Sequence, residues 1–258
     1  MKIFVPWMEL NGLVRAFEPA IKTGRLPVPI STMLRIFIMQ RWFGLSDPAM
    51  EEALHGMDLF RELAQLDASA TRLPDESTAL RFHNLIEANS FAFQMLDSVN
   101  AKLIKGGLLL KAGTVIDTTL DAAPSSTKNS SGERDPEMHQ AKKGNQWHFG
   151  MKTHIGADAE SGLVHTVTGA AANEQVITQA HALLHGEENV LFADSGYRGI
   201  TKRKEIRAQQ PGVDWQVAMM PGKRWALKKS KTVDALIDKL EKIKASIRAK
   251  VEHPELAP

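Results

Sequence analysis

Two aspartates in this chain each stand where a short apolar, β-branched run ends. Gly113-Thr114-Val115-Ile116 delivers Asp117, and Asn189-Val190-Leu191-Phe192-Ala193 delivers Asp194. In an α/β sheet, the carboxyl ends of the strands border the crevice where ligands bind. Hard oxygen donors suit Mg2+ or Mn2+, which keep waters and accept phosphate oxygens. A two-ion phosphoryl-transfer site, with its ions ~4 Å apart, needs one carboxylate that bridges and others that hold each ion. A third acid is therefore expected. Glu252 is the candidate, at the end of the last helical stretch, with Arg248 one turn earlier to orient it or contact a phosphate. The competing reading of each aspartate alone is a turn or cap residue. Asp121, four residues after Asp117, reads as a loop residue. His148 and His154 share a strand face, but no third ligand lies near them, so packing or a phosphate contact is expected rather than a metal pair.

Charge along the chain supports a polyanion partner. The whole chain carries +2, yet residues 113–195 hold 5 basic and 11 acidic side chains, a net −6, and residues 196–231 hold 10 and 2, a net +8. Residues 1–112 balance at 12 and 12, and 232–258 at 5 and 5. An acidic segment beside a basic one is what a metal site next to a DNA track requires, although an unevenly charged solvated surface gives the same sums. Lys142, Lys143, Lys223, Arg224, Lys228, Lys229 and Lys231 are the side chains expected to meet phosphates. Cysteine is absent, which excludes disulfides and thiolate zinc sites and fits a reducing cytosol. No apolar run reaches the ~18 residues of a membrane span, and the segment Met1 to Glu9 is too short and too acidic for a signal peptide.

The elements that must position these groups fall into two parts. Residues 1–107 read as helical: Ser31 capping Thr32 to Phe43, Asp47-Pro48 starting Ala49 to Leu54, Asp58 to Leu66, Thr78 to Ala88, and Ser90 capping Phe91 to Ile104, with Gly106-Gly107 as the hinge. This part is either a helix-turn-helix DNA reader, with Arg35 to Trp42 as its basic-aromatic element, or a plain helical packing domain. Residues 108–258 read as α/β. The expected strands are Leu108 to Leu120, Trp147 to Ala157, Leu163 to Ala170, Asn189 to Ala193 and Trp215 to Met219. The expected helices are Asn173 to Leu184, Thr201 to Gln209 and Val233 to Val251, the last with Leu236, Ile237, Leu240, Ile243 and Ile247 on its apolar face. Thr127 to Asn145 and Gly222 to Lys231 read as polar and basic loops. Hairpin, strand, helix, strand, helix makes a mixed sheet.

Several long blocks go beyond these general arguments. Ala123-Pro124-Ser125-Ser126-Thr127-Lys128-Asn129, Arg134 through Gln140, Lys142 through Lys152, Ala171 through Glu174, Leu184 through Glu188, Ala193 through Gly199 and Lys244 through Pro254 resemble bacterial insertion-sequence transposases of the IS-five family. Met33 to Ile36 and Leu45 to Glu51 resemble that family's N-terminal helical domain. The resemblance implies a ribonuclease-H-like catalytic core with a DDE triad, which falls on Asp117, Asp194 and Glu252. It implies two divalent ions, Mg2+ or Mn2+, held by those acids, and double-stranded DNA as partner, bound by a homo-oligomer. The implied DNA contacts include Arg198 and Arg248 beside the lysines above. Water attack on a phosphodiester at the element end, then strand transfer by the freed 3′-hydroxyl, is the implied reaction, in a cytoplasmic, nucleoid-associated protein. The family's pattern around its glutamate is Tyr, two residues, Arg, three residues, Glu, six residues, Lys. Arg248 and Glu252 fit it; Ala245 takes the tyrosine position and the lysine falls beyond Pro258. Those departures lead to an expectation of a chain shortened at both ends, and to a second reading: a non-catalytic DNA-binding fragment that competes with full-length transposase.

Overall fold

The computed structural model describes residues 5–18, 27–66, 73–109, 112–128, 132–209, 212–228 and 230–252, with the side chains of Gln209 and Glu252 outside that set. Two compact units divide the chain, Met1–Leu103 and Ile104–Pro258.

The first unit is all helical: α1 (Trp7–Arg15), α2 (Ile30–Phe43), α3 (Asp47–Gly56), α4 (Asp58–Ala64), α5 (Glu76–Ala88) and α6 (Phe91–Lys105), whose last residues enter the second unit. Leu10, Val14, Leu34, Ile36, Met39, Met50, Leu54, Phe82 and Phe91 form its core. Several caps differ from expectation. Pro29, not Ser31, precedes α2, because its carbonyl already accepts from the Thr32 and Met33 amides and leaves Ser31 inside the first turn. Ser46 caps α3 through the Ala49 amide, which frees Asp47 to accept from Gln40 Nε2 at 2.7 Å. Asp75 caps α5 by accepting from the Thr78 amide at 2.8 Å, so that helix starts two residues early. Gln65, at φ +57, stops α4 before Leu66. Ser90 cannot cap α6, since its φ of +51 lies outside the extended region an N-cap occupies.

The second unit is built on a mixed sheet of β1 (Gly113–Ala122), β2 (His139–Lys143), β3 (Gln146–Asp158), β4 (Val164–Ala171), β5 (Val190–Ala193) and β6 (Asp214–Val217). Its strands run β2-β3-β1-β5-β6, with β4 also paired to β3: β3 is antiparallel to β1, β2 and β4, whereas β5 is parallel to β1 and β6. An antiparallel meander continued by parallel strands on the far side of β1 is the ribonuclease-H-like arrangement expected. Helices cover both faces. Ile116, Leu191 and Ala193 pack against Ala180, Leu183, Tyr197, Ile200 and Ile206 on one face. Val115 and Ala157 pack against Val251 and Ile247 on the other.

Several elements correct the sequence reading. Strand β1 begins at Gly113 rather than Leu108 and continues to Ala122, so Asp121 is a strand residue that accepts from the Thr153 hydroxyl. Strand β2 lies inside the stretch expected as a loop and pairs with the start of β3, Lys142 opposite Trp147. Gly144, at φ +61, makes the two-residue turn between them. The helix expected over Asn173 to Leu184 is shorter and split: α7 covers Val176–Gln179 and passes into a 3-10 helix at Ala180–Leu183, while Asn173 to Gln175 lie before it. A 3-10 turn at Ile200–Lys202 likewise precedes α8 (Lys204–Gln209), and α9 (Pro221–Trp225) interrupts the expected basic loop.

The last helix, α10 (Thr232–Glu252), is turned differently from its pattern. Leu236, Leu240 and Ile243 are half or more exposed, while Asp238 and Glu241 are buried. Polar bonds explain it. Asp238 accepts from Arg224 Nε at 2.9 Å, and Glu241 accepts from the Met219 amide at 2.8 Å while pairing with Lys244 Nζ at 3.0 Å. Only Ile237, Ile247 and Val251 of the apolar residues turn inward.

Candidate active site

The register of the central parallel pair sets the site. Ile116 lies opposite Ala193, so the next residue on each chain is an aspartate, Asp117 beside Asp194. Both are half-buried; Asp194 follows the last residue of β5, whereas Asp117 lies in the middle of β1, which runs on to Ala122 beyond the point the sequence suggested. Asp194 leaves the sheet in extended geometry and caps the 3-10 turn Ser195–Tyr197, its Oδ1 accepting from the Gly196 amide at 2.8 Å. A Cβ on Gly196 would lie 2.9 Å from that same oxygen and 3.3 Å from Val176, so the turn closes this tightly only with glycine.

A buried hydrogen-bond chain ties the two acid-bearing segments together. Tyr197, 1% exposed, shares a hydrogen bond with Thr118 at 2.8 Å between their oxygens, and Thr118 Oγ1 also meets His154 Nδ1 at 2.8 Å. Thr118 follows Asp117, Tyr197 follows Asp194 by three, and His154 faces Thr118 from β3. Burial pushes the Tyr197 phenol up to about 12; the Thr118 bond opposes that shift and the charges of Asp194 and Asp117 add to it. The phenol is therefore protonated at neutral pH. His154 is pulled down, first by burial and then by the Lys152 charge, with Glu174 opposing. The imidazole is neutral, and its Nε2 has no hydrogen-bond partner among the described residues. His154 thus packs rather than binding metal, while His148 is half-buried further along the same strand face.

An open cleft of about 190 Å³ lies at this edge, lined by Asp117, Asp194 and Tyr197 with Lys142, Lys143 and Lys152. Lys152 donates to the Glu174 carbonyl at 2.6 Å, and burial lowers its pKa against the opposing pull of Glu174. Of the cations expected to meet phosphate, Lys142 and Lys143 are at the cleft, and Arg198 is exposed one residue beyond Tyr197. Arg224 is instead paired with Asp238, holding α9 to α10 and lowering the Asp238 carboxyl below its usual range. Lys223 and Lys228 are exposed on the segment after β6, with β5 between that strand and β1. Arg248 is half-buried on α10. Lys229 lies outside the described residues, as does the Glu252 side chain. The backbone of α10 still bears on the third acid. Val251 is buried with Val115, and Lys250 Nζ donates to the Ala159 and Glu160 carbonyls, so the end of the helix lies over the start of β1, with Val115 two residues before Asp117.

The donors present fit a hard divalent cation: two carboxylates side by side on the adjacent segments of β1 and β5. Among the described residues there is no group of three or more His, Asp or Glu side chains that could hold a metal ion. Sequence reasoning missed the Tyr197–Thr118–His154 chain. Its only signal was position, since Thr118 and Tyr197 each lie within three residues of a candidate acid.

A family model described as Transposase DDE domain matches residues 109–254, and one described as Transposase domain (DUF772) matches residues 1–85. Among solved structures, the Mos1 strand transfer complex is 12% identical with a TM-score of 0.23, over 93% of this chain and 84% of that one. A pre-cleavage Mos1 transpososome is 7% identical with a TM-score of 0.22, over 89% and 72%. Likeness at so low a TM-score carries no weight for the fold or the site of this chain.

Proposed function

The chain belongs to the transposase DDE domain family, and from that premise we propose that Asp117, Asp194 and Glu252 are the acids of its catalytic site. The protein is a DNA transposase, of a family that depends on divalent metal for DNA cleavage and strand transfer. One observation supports the choice of the two aspartates: the β1–β5 register, which sets Asp117 beside Asp194. Membership of the IS-five group, a pair of Mg2+ or Mn2+ ions, and a homo-oligomer on double-stranded DNA complete the reading.

In this reading the protein contributes position and charge. The carboxylates of Asp117, Asp194 and Glu252 hold the cations, which when bound activate the attacking oxygen and stabilise the leaving one. Lys142, Lys143 and Lys152 line the cleft and hold the phosphates of the DNA end against it. Arg198, Arg248, Lys223, Lys228 and Lys229 extend the contact along the duplex. Arg224 does so only if it leaves Asp238. Water oxygen forms a new bond to phosphorus, and the bond to the 3′ oxygen breaks, leaving a 3′-hydroxyl and a 5′-phosphate. The 3′-hydroxyl oxygen then forms a bond to a phosphorus of target DNA, and that phosphorus's bond to the target's own 3′ oxygen breaks, leaving a 3′-hydroxyl on the target strand. Residues 108–258 are assigned to chemistry.

Nicking of a duplex carrying the element's terminal repeat, with Mg2+ or Mn2+, tests the proposal. Loss of a ligand that supports several kcal/mol of charge stabilisation slows cleavage by at least ~10²-fold. Asp117→Asn and Asp194→Asn should each show that loss while still binding the duplex. Cleavage at the wild-type rate in either variant overturns the assignment, and binding without cleavage by the wild type favours the competing DNA-binding role.

A further inference from the structure

Strand β3 outruns its partner. Ala122, the last residue of β1, pairs with Gly150, and the Phe149 carbonyl still accepts from the Ala123 amide at 2.8 Å, so Gln146 to His148 extend past β1 with β2 as their strand neighbour. Trp147 stands on this extension 67% exposed. A large indole held in solvent on a regular strand is unusual, because a hairpin rim is ordinarily polar.

Its neighbours indicate what covers it. Lys142 is directly opposite Trp147 across the hairpin and so shares its face. Phe149, two residues on, lies on that face as well, with the Arg134 guanidinium 5.5 Å above its ring. Arg134 also donates from Nε to the Ser125 carbonyl at 3.0 Å, which ties the connecting segment to the base of the hairpin and leaves Trp147 clear above it. Alternation along β3 carries the same face from Trp147 to Ile155, which pairs with Asp117. Lys142 and Lys143 in turn line the cleft of the acids. An exposed π-face beside lysines is the chemistry that holds a nucleic-acid strand: cations track the phosphates and the ring stacks on a base. A second copy of the hairpin would set its lysines against these lysines, so like charge opposes that occupant.

We propose that Trp147 stacks on an unpaired base of the DNA whose end lies in the cleft, with Lys142 holding the adjoining phosphate. In the interior of a duplex both faces of a base are already stacked, so there the site takes a base that has left the helix. The inference rests on the reading of the cleft as a DNA-cleavage site, and it adds what that reading lacks, a group that stabilises the opened end.

Equilibrium binding by the full chain tests it without requiring turnover. The probes are terminal-repeat duplexes, one fully paired and a set with a single unpaired 2-aminopurine scanned along the end, in the presence of Mg2+. Wild type should prefer one unpaired position over the paired duplex, with quenching of the 2-aminopurine there. Trp147→Ala should lose that preference, weakening binding roughly ten-fold or more, while Trp147→Phe retains most of it. Equal preference in Trp147→Ala and wild type overturns the proposal, as does equal loss in Trp147→Phe. A lowered unfolding midpoint in Trp147→Ala would make the residue structural and also overturn it. Cleavage is scored separately: a wild type that binds with the preference but does not cut removes the catalytic reading and leaves the stacking site standing.

Discussion

The hydroxyls of Thr118 and Tyr197 lie 2.8 Å apart, and this one hydrogen bond joins the strand that carries Asp117 to the turn that carries Asp194. Each acid is therefore positioned partly by the residue holding the other.

Tyr197→Phe removes that joint while leaving the ring in the core. A buried hydrogen bond contributes about 1 kcal/mol net, and Thr118 keeps His154 as a second partner. Stability should fall by about 1 kcal/mol. The Mn2+ concentration for half-maximal nicking should rise several-fold, because the carboxylates no longer share a fixed spacing. A metal titration of nicking, run beside a denaturant melt, separates the two effects; an unchanged metal requirement would confine the hydroxyl to packing.

Gly196→Ala should damage activity more than stability. The added Cβ meets Asp194 Oδ1 at 2.9 Å and must displace either the carboxylate or the turn. A nicking rate reduced by about ten-fold or more, an altered barrier of ~1.4 kcal/mol, is expected with a nearly unchanged unfolding midpoint. Wild-type nicking would mean that Asp194 is free to move without cost.

Protonation of His154 sets an acid limit on stability. Its folded pKa lies below the ordinary 6.5, so above that pH both folded and unfolded states hold it neutral. As pH falls below 6.5 the unfolded chain takes up the proton first, and stability declines until the folded pKa is passed. His154→Gln lacks this titration. Its unfolding free energy should fall less steeply than wild type's over that window; parallel slopes would place the acid sensitivity elsewhere.

The cleft lysines and Arg224 should separate in a salt titration of DNA binding. Each phosphate contact contributes close to one unit to the slope of log K against log salt, so Lys142→Ala and Lys143→Ala should each lower it by about one. Arg224→Ala should instead leave the slope nearly unchanged and lower the unfolding midpoint, since Arg224 serves Asp238. A reduced slope in Arg224→Ala would show that the arginine exchanges the carboxylate for DNA.

The turned face of α10 has a mutational signature. Leu240, 58% exposed, should tolerate Leu240→Glu with a change of about 0.5 kcal/mol or less. Ile116→Ala, at the centre of the buried cluster under β1, should cost about 2–5 kcal/mol. Comparable losses at both positions, read by denaturant unfolding, would show that another surface covers α10 in solution.

How far each element could be read depends on where its information lies. Asp117 and Asp194 were legible because each ends a short apolar run, and such runs mark buried strands locally. Strand β2 was not: His139 to Lys143 is polar on both faces, and an edge strand without a buried face leaves no alternation to detect. The periodicity of α10 announced an apolar stripe but not its direction. Buried partners for Asp238 and Glu241, supplied by Arg224 and the Met219 amide, turned the polar side inward. Tyr197 was read only as part of a turn, because its partner Thr118 lies far away in sequence.

The sequence by itself determined the family, the two aspartates that follow apolar runs and the division into a helical and an α/β part, since each is encoded in contiguous residues. Tertiary structure alone decided that Asp117 lies beside Asp194, that Thr118, Tyr197 and His154 join beneath them, and that Lys142, Lys143 and Trp147 rise from a hairpin at the same edge. Strand register and side-chain burial are relations between distant segments, set by how all of them share one core, and no local pattern carries them.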